Sequence, residues 1–552
     1  MYAPLLLFAL ASSPFDAMLE RTVQREQLPG IAMGVVEDGR VVYRRAEGMR
    51  GDTPDARIDD ETLFKIASNS KAMTAALLAR LVEQGKLRWD DPVRRHLPSF
   101  TMFDPWVGEQ MQVRDLLIHN SGLGLGAGDL MLWPEPNHFT RADIIAGLAH
   151  LKPVTSFRSG YAYDNLMYVV AGEVAAAAGG KPYDQLMREE VFVPLGLSRC
   201  QVGEWSTVAV GNIAQPHVRR EGRNVVVAAD GDTSPDSPSM AAGGIRCSLN
   251  DMLRWMQVLL DPSRAPGWLD TEQRRQLWTL QMAMPLGERQ RRWDNAHFAG
   301  YGYGWRLSDL DGQWKVAHTG TLSGMYSSLA LLPERKVGVV LLINGEGEDA
   351  RTALMQAALK HYTAPGGTQG VDGWLDDLAQ AGAPSPKEAG PLPDTRTTAP
   401  ASATALVALQ GRYHDPWLGE ASLCPVRGRL RFSVDKSPRL QADVLQAGAR
   451  WVLRWDTLEP AAQAWLQPTA APVPTLDLRA IDPDIDFSYD YQDLHFTRTG
   501  DCPGNERAPL KRPPFRPRAA LPKQGWWRSA RCRPASRWMS ATPLPTTSPA
   551  AR

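Results

Sequence analysis

Two groups of β-strand signals stand far apart in this 552-residue chain, and their separation limits the fold more than any other feature. Ile31 to Val36 and Val41 to Arg45 read as strands joined through Glu37-Asp38-Gly39-Arg40, a hairpin signal. Trp314 to His318, Ser327 to Leu332 and Val337 to Asn344 read as three more, the last pair turned by Pro333-Glu334-Arg335-Lys336. Between the groups lie roughly 250 residues that are mostly helical or loop-like. First and last segments can then share one sheet, with the intervening chain forming its own layer. The expectation is an α+β fold: an antiparallel sheet flanked by helices, among them Pro14 to Gln27, with a mostly helical insert.

After Tyr362 the composition turns to Ala, Pro, Gly and Thr, so residues 363–405 read as a linker with one short helix around Trp374 to Ala379. From Leu406 the apolar residues alternate: Leu430, Phe432 and Val434; Trp451, Leu453 and Trp455; Leu476, Leu478 and Ala480; Phe487, Tyr489 and Tyr491. Alternation with a period of two is the mark of half-buried strands, and residues 406–500 are expected to form a small all-β module. Residues 501–552 show neither period, carry 11 Lys+Arg against 2 Asp+Glu, and read as a disordered, basic, Pro-rich tail. The rest of the chain carries 50 against 59 and is acidic, which gives no footprint for nucleic acid. Residues 1–13 resemble the core of a secretory signal without its basic start, so the protein is expected to be periplasmic or secreted, and no run is apolar enough to span a bilayer. The five cysteines, Cys200, Cys247, Cys424, Cys502 and Cys532, show no metal-ligand spacing and indicate no disulfide scaffold.

The chemistry begins at Ser68-Asn69-Ser70-Lys71, at the mouth of an apolar helix, Met73 to Gln84, that Gly85 closes. Positions three apart on a helix lie on one face, so Lys71 can reach the Ser68 hydroxyl, and the helix start supplies backbone donors for an oxyanion. The same expression recurs at Ser433-Val434-Asp435-Lys436, where strand alternation sends hydroxyl and amine to opposite faces. Only the first copy can make a nucleophile and base.

Two further elements follow in order: Tyr163-Asp164-Asn165, placed in a loop before a helix Leu166 to Ala178, and His318-Thr319-Gly320 at a strand end. Together with Ser68 and Lys71 they resemble the three signature elements of the serine β-lactamase and penicillin-binding-protein superfamily, above all its class C and esterase-like branch. Phe64-Lys65-Ile66-Ala67, Val113-Arg114-Asp115-Leu116-Leu117-Ile118-His119-Asn120-Ser121-Gly122-Leu123 and Ala241-Ala242-Gly243-Gly244-Ile245 agree with that branch. The likeness covers residues 14–362 as one β-lactamase/transpeptidase-like domain. Residues 406–500 are similar to a lipocalin-like barrel appended to such hydrolases, which covers the cleft or builds homo-oligomers.

The resemblance implies Ser68 as nucleophile, with Lys71 and Tyr163 sharing the base role and Tyr163 returning the proton to the leaving group. It implies Asn165 as a partner of Lys71 and of a substrate amide, and His318, Thr319, Gly320 and Thr321 as the substrate-binding edge. The Ser68 and Thr321 N–H groups would hold the oxyanion. It implies a serine hydrolase working through an acyl-enzyme on small amides, D-residue-containing peptides or esters, without metal or organic cofactor. The alternatives are a β-lactamase proper, and a penicillin-binding or peptidoglycan-sensing protein that acylates without turnover. Where many relatives carry lysine, His318 is mostly uncharged at neutral pH, so recognition of a substrate carboxylate is expected to weaken.

Several features take plainer readings. His119 reads as a structural histidine near the site and Asp164 as a solvent-facing loop carboxylate. Gly122-Leu123-Gly124-Leu125-Gly126-Ala127-Gly128 lacks the strand and spacing of a dinucleotide loop. Asp482-Pro483-Asp484-Ile485-Asp486 lacks the glycine of a calcium loop and reads as the start of a β-hairpin.

Overall fold

The computed structural model describes residues 13–53, 55–366, 369–382, 395, 397–458, 462–470 and 472–503. The expected signal segment and nearly all of the basic tail lie outside them. The two strand groups do meet in one antiparallel sheet of eight strands. These are β1 (Gly30–Glu37), β2 (Arg40–Gly48), β3 (Met282–Ala283), β4 (Ala299–Tyr301), β5 (Arg306–Leu310), β6 (Gln313–Leu322), β7 (Met325–Leu332) and β8 (Val337–Ile343). Their order across the sheet is β2-β1-β8-β7-β6-β5-β4-β3, so β1 closes onto β8 with Ile31 opposite Ile343 and Val36 opposite Gly338.

Both faces of the central strands are buried, and alternate residues feed different cores. Ile31, Met33 and Val35 of β1 join Val339, Leu341 and Ile343 of β8 under α1 (Pro14–Glu26), while Ala32 and Val36 with Val340 and Leu342 face the helical insert. That insert is built around α2 (Ser70–Glu83), whose residues from Ser70 to Ala79 are all buried, and α3 (Leu166–Gly179), with α4 (Leu249–Leu260) packed on β1 and β8. A helix apolar all round belongs inside a domain, and the sequence of α2 is of that kind. Helix α5 (Glu348–Thr363) covers the other face. The helix expected near Trp374 extends over α6 (Gly370–Gly382) and joins the same layer, with Asp372 paired to Arg21 and Arg25 of α1 and Trp374 against Trp293.

The β module is a closed up-and-down barrel of eight strands running from Gly411–Asp415 to His495–Gly500. Each strand pairs with the next, and the last returns to the first through Arg412 opposite Gly500. Leu430, Phe432, Val434, Leu476 and Leu478 point inward as their alternation requires. One part of that reading fails. Phe487, Tyr489 and Tyr491 form no strand; residues 481–494 are a connection held by Asx turns, in which Asp482 accepts from the Asp484 N–H and Asp486 from the Ser488 N–H. Hydrogen bonds of this local kind outcompete a ladder, and the segment turns toward the other domain. Hydrolase region and barrel belong to one compact unit that ends at Cys502.

The cysteine reading is corrected as well. Cys200 pairs with Cys247 and Cys424 with Cys502. Partners 47 and 78 residues apart leave no local spacing from which a pairing could be read. Cys247 lies opposite Phe64 in a short ladder just ahead of Ser68, so the first disulfide tethers the segment that leads to Ser68. Reduction should lower stability by about 2–4 kcal/mol per bridge, read as a drop in Tm with reductant; an unchanged Tm would show that the bridges do not constrain the fold.

Candidate active site

Ser68 sits in a 3-10 turn, Ala67–Asn69, that leads into α2. Ala67 has φ 48, a left-handed conformation for a residue with a side chain, and the turn is held from outside. Ser327 Oγ on β7 donates to the Ile66 carbonyl at 2.6 Å and accepts from Asn69 Nδ2 at 2.8 Å. No side chain caps the start of α2, because Asn69 is taken by Ser327 and the Ser70 hydroxyl accepts from the Ile245 N–H. Strand β6 presses against the turn at Gly320, where a Cβ would lie 2.3 Å from the Ile66 carbonyl oxygen and 2.3 Å from Ser327 Oγ. Glycine at 320 is what lets the strand edge carrying Thr321 come so close.

Lys71 is fully buried, and its Nζ donates to Ser68 Oγ at 3.2 Å, to Asn165 Oδ1 at 2.7 Å and to the Ala242 carbonyl at 2.9 Å. Burial pushes its amine down to about 7, helped by the Arg306 guanidinium and opposed by Asp129 and Asp164. The Tyr163 ring lies under the amine, 4.8 Å from Nζ to the ring centre, with its hydroxyl near enough to Ser68 for the serine to act on the phenol. Burial pushes the phenol up to about 12. The three polar groups expected at 68, 71 and 163 therefore meet in one place. The second copy of the expression does not assemble: Ser433 Oγ pairs with Ser422 Oγ, and Lys436 pairs with Asp143 at 2.6 Å.

Asp164 is not solvent-facing. It is fully buried, accepts from Ser121 Oγ at 2.8 Å and from the Leu166 N–H at 3.0 Å, and burial raises its carboxyl to about 6. It fixes the start of α3, which sequence alone could not distinguish from an exposed turn. His119 has a positioning role: its Nδ1 accepts from the Asp164 N–H at 3.0 Å and its ring lies 4.3 Å from that of Tyr163.

The His318 ring is buried, its centre 6.4 Å from that of Tyr163. Its Nδ1 is 2.7 Å from the Thr319 carbonyl, which can only accept, so Nδ1 carries the proton and Nε2 accepts from the Tyr301 hydroxyl at 2.8 Å. Burial holds the ring well below its ordinary range, so it is neutral. Two arginines that the sequence reading missed stand beside it. Arg306 Nη1 donates to Thr319 Oγ1 at 3.0 Å, with its guanidinium 5.7 Å from the Tyr163 ring centre. Arg351 Nη1 donates to the Gly320 carbonyl and to Thr321 Oγ1, both at 2.8 Å. Arg306 lies opposite Ala317 in the sheet, a register that no local motif reveals.

The barrel reaches this site, and the glycine-rich stretch is where it docks. Gly126 has φ 70, and a Cβ there would lie 2.5 Å from the Phe487 carbonyl oxygen. The Gly128 N–H donates to Asp490 Oδ2 at 2.6 Å, and Ser488 Oγ donates to Asp129 Oδ2 at 3.1 Å. The exposed Phe487 ring stands edge-on to Tyr163 at 6.0 Å, at the mouth of the site. Lys436–Asp143 and Arg439 to the Glu135 carbonyl add contacts at the rim. Among the described residues no group of three or more His, Cys, Asp or Glu could hold a metal ion, and no helix is long and apolar enough to cross a membrane.

This sheet, helical insert and Ser-Lys-Tyr constellation define a protein of the β-lactamase/transpeptidase-like class of serine hydrolases and penicillin-binding proteins. The family described as Beta-lactamase matches residues 15–362, and the chain belongs to it. Similar proteins include Unguisins hydrolase ungD' of Aspergillus campestris (strain IBT 28561), 25% identical over 378 residues, 66% of this chain and 68% of that one. Penicillin-binding protein 4 of Amycolatopsis lactamdurans is 27% identical over 333 residues, 60% of this chain and 84% of that one. Among solved structures, the octameric penicillin-binding protein homologue from Pyrococcus abyssi aligns with TM-score 0.56 at 20% identity, over 88% of this chain and 99% of that one. The last likeness extends through the barrel and concerns the fold.

A branched side chain at Gly126 should displace the Phe487 segment. Gly126→Val is expected to cost about 1–3 kcal/mol and to expose residues 482–491 to limited proteolysis. A cleavage pattern like that of the unaltered protein would show that the segment does not dock there.

Proposed function

We propose that the protein is an extracytoplasmic serine hydrolase that forms an acyl-enzyme on Ser68 and acts on small amides, D-residue-containing peptides or esters. The observation that carries this reading is the buried Lys71 amine 3.2 Å from Ser68 Oγ. An amine held near 7 is substantially neutral at physiological pH and can take the serine proton, whereas a phenol held near 12 keeps its own. Lys71 is therefore the base. As the Ser68 Oγ–carbon bond forms, its proton passes to Lys71 Nζ, and Tyr163 relays a proton to the leaving group as the carbonyl–leaving-group bond breaks. Water then cleaves the ester. The N–H groups of Ser68 and Thr321 are the proposed oxyanion donors, supported by the close approach of β6 at Gly320.

His318 supplies no charge, but Arg306 does, beside Thr319, so a free carboxylate on the substrate has a cation to meet. The disulfides support an oxidising compartment, as expected for a secreted or periplasmic protein. Oligomer formation through the barrel remains the proposal drawn from the resemblance.

A fluorophosphonate probe with peptide mapping tests the nucleophile: label is expected on Ser68 and lost in Ser68→Ala, and label persisting in that variant would overturn the assignment. The labelling rate should rise with pH through about 7, because Lys71 becomes competent as it loses its proton. A flat profile across neutral pH would exclude Lys71 as base. Arg306→Met should raise KM roughly tenfold for peptides with a free carboxylate while sparing neutral esters; equal effects on both would remove the carboxylate role. Steady turnover of a D-residue peptide or ester separates this function from a protein that acylates once and stops, and efficient cephalosporin turnover would instead favour a β-lactamase proper.

A further inference from the structure

We infer that Asp129 is a positioning residue for the base, holding the Asn165 amide with its oxygen toward Lys71, and that the barrel completes this arrangement through Ser488. The inference rests on Lys71 being the base.

A side-chain amide can present either end. Asn165 Oδ1 accepts from Lys71 Nζ at 2.7 Å because its Nδ2 has an acceptor on the other side, Asp129 Oδ2 at 2.8 Å. Without that acceptor one of the two bonds that fix the amide is gone, and its turning would set its N–H groups against the Lys71 amine. Asp129 is fully buried and both its hydrogen bonds fall on one oxygen, Oδ2, shared by Asn165 Nδ2 and Ser488 Oγ. Its Oδ1 is buried with no hydrogen-bond partner among the described residues. A carboxyl in such a place is costly, and nothing else at this position uses it. The hydrogen bonds run from Ser488 of the barrel to Asp129, from Asn165 to Asp129, from Lys71 to Asn165 and from Lys71 to Ser68. Docking of the segment Phe487 to Asp490, already fixed by the Gly128 N–H on Asp490, thus bears on the amine that activates the nucleophile.

The charged and titratable groups around the pair are few. Asp129, Asp164, Arg306, Tyr163, Tyr168 and the neutral His119 and His318 surround Lys71, and Asp490 with Asp493 lies on the barrel side of Asp129. Loss of the Asn165 oxygen as acceptor removes a stabiliser of the ammonium form, so the amine should lose its proton at lower pH. The inference is therefore read from the pH dependence of Ser68 labelling in the full chain, with a fluorophosphonate as probe. Asp129→Ala should move the rising limb to lower pH and reduce the plateau roughly tenfold as Lys71 loses its fixed direction. Ser488→Ala should move the limb the same way by less, and Asp129→Asn, which keeps an oxygen for both donors but loses the carboxyl that opposes the lowering of Lys71, should restore the plateau with the limb still at lower pH. Limbs identical to the parent in both Asp129→Ala and Ser488→Ala would overturn the inference. Should Asp129→Ala fail to fold, Ser488→Ala decides alone, since Ser488 lies on a half-buried turn. Failure of the underlying reading looks different: the parent protein itself would then label with a flat profile across neutral pH, or take no label on Ser68.

Discussion

The Lys71 amine, sealed from solvent and directed at Ser68, is the constraint that the rest of the site serves. Against an exposed lysine, with its ordinary value of 10.5, holding the amine near 7 costs on the order of 4–5 kcal/mol at neutral pH. A domain of this size survives that cost because α2 is buried among α3, the Ala241-Ala242 turn and the sheet, so the amine has no path to water. The same packing that penalises the charge makes the lysine usable as a base.

Around it each element contributes a direction. Ser327 and Gly320 bring two neighbouring strands against the turn that carries Ser68, Asp164 and His119 fix the start of α3 and the Tyr163 ring, and Arg351 holds the Thr321 hydroxyl. These contacts come from segments up to 261 residues apart in sequence, which is why the sheet must join both ends of the domain before a site exists. The barrel adds the outer wall through Phe487 and a hydrogen bond to the buried carboxyl behind Asn165. A C-terminal module that touches the machinery in this way is part of the site and not a passive appendage.

Local order explains what could be read from the sequence. Strand period, the hairpin at Asp38-Gly39 and the helical spacing of Ser68 and Lys71 are set by neighbours in the chain, and they place the sheet and the barrel and bring the Lys71 amine to Ser68. The misreadings turn mostly on long-range contacts. Asp164 is buried with Ser121 hydrogen-bonded to it, the Phe487 segment, held by its own Asx turns, docks on Gly126, and the cysteines pair across 47 and 78 residues. Arg306 escaped notice because its importance lies in the register of β5 against β6, where it stands next to Thr319. The glycine-rich stretch was set aside as a nucleotide loop, and its use as a platform for the barrel needed both domains in place.

The most direct test is to titrate the Lys71 amine itself, by heteronuclear NMR of selectively labelled lysine in the folded protein, with Lys71→Arg to assign the signal. The account gives a midpoint near 7, far from the other lysines. A midpoint in the ordinary lysine range would mean an ammonium beside Ser68 at physiological pH, and the base in this enzyme would have to be another group.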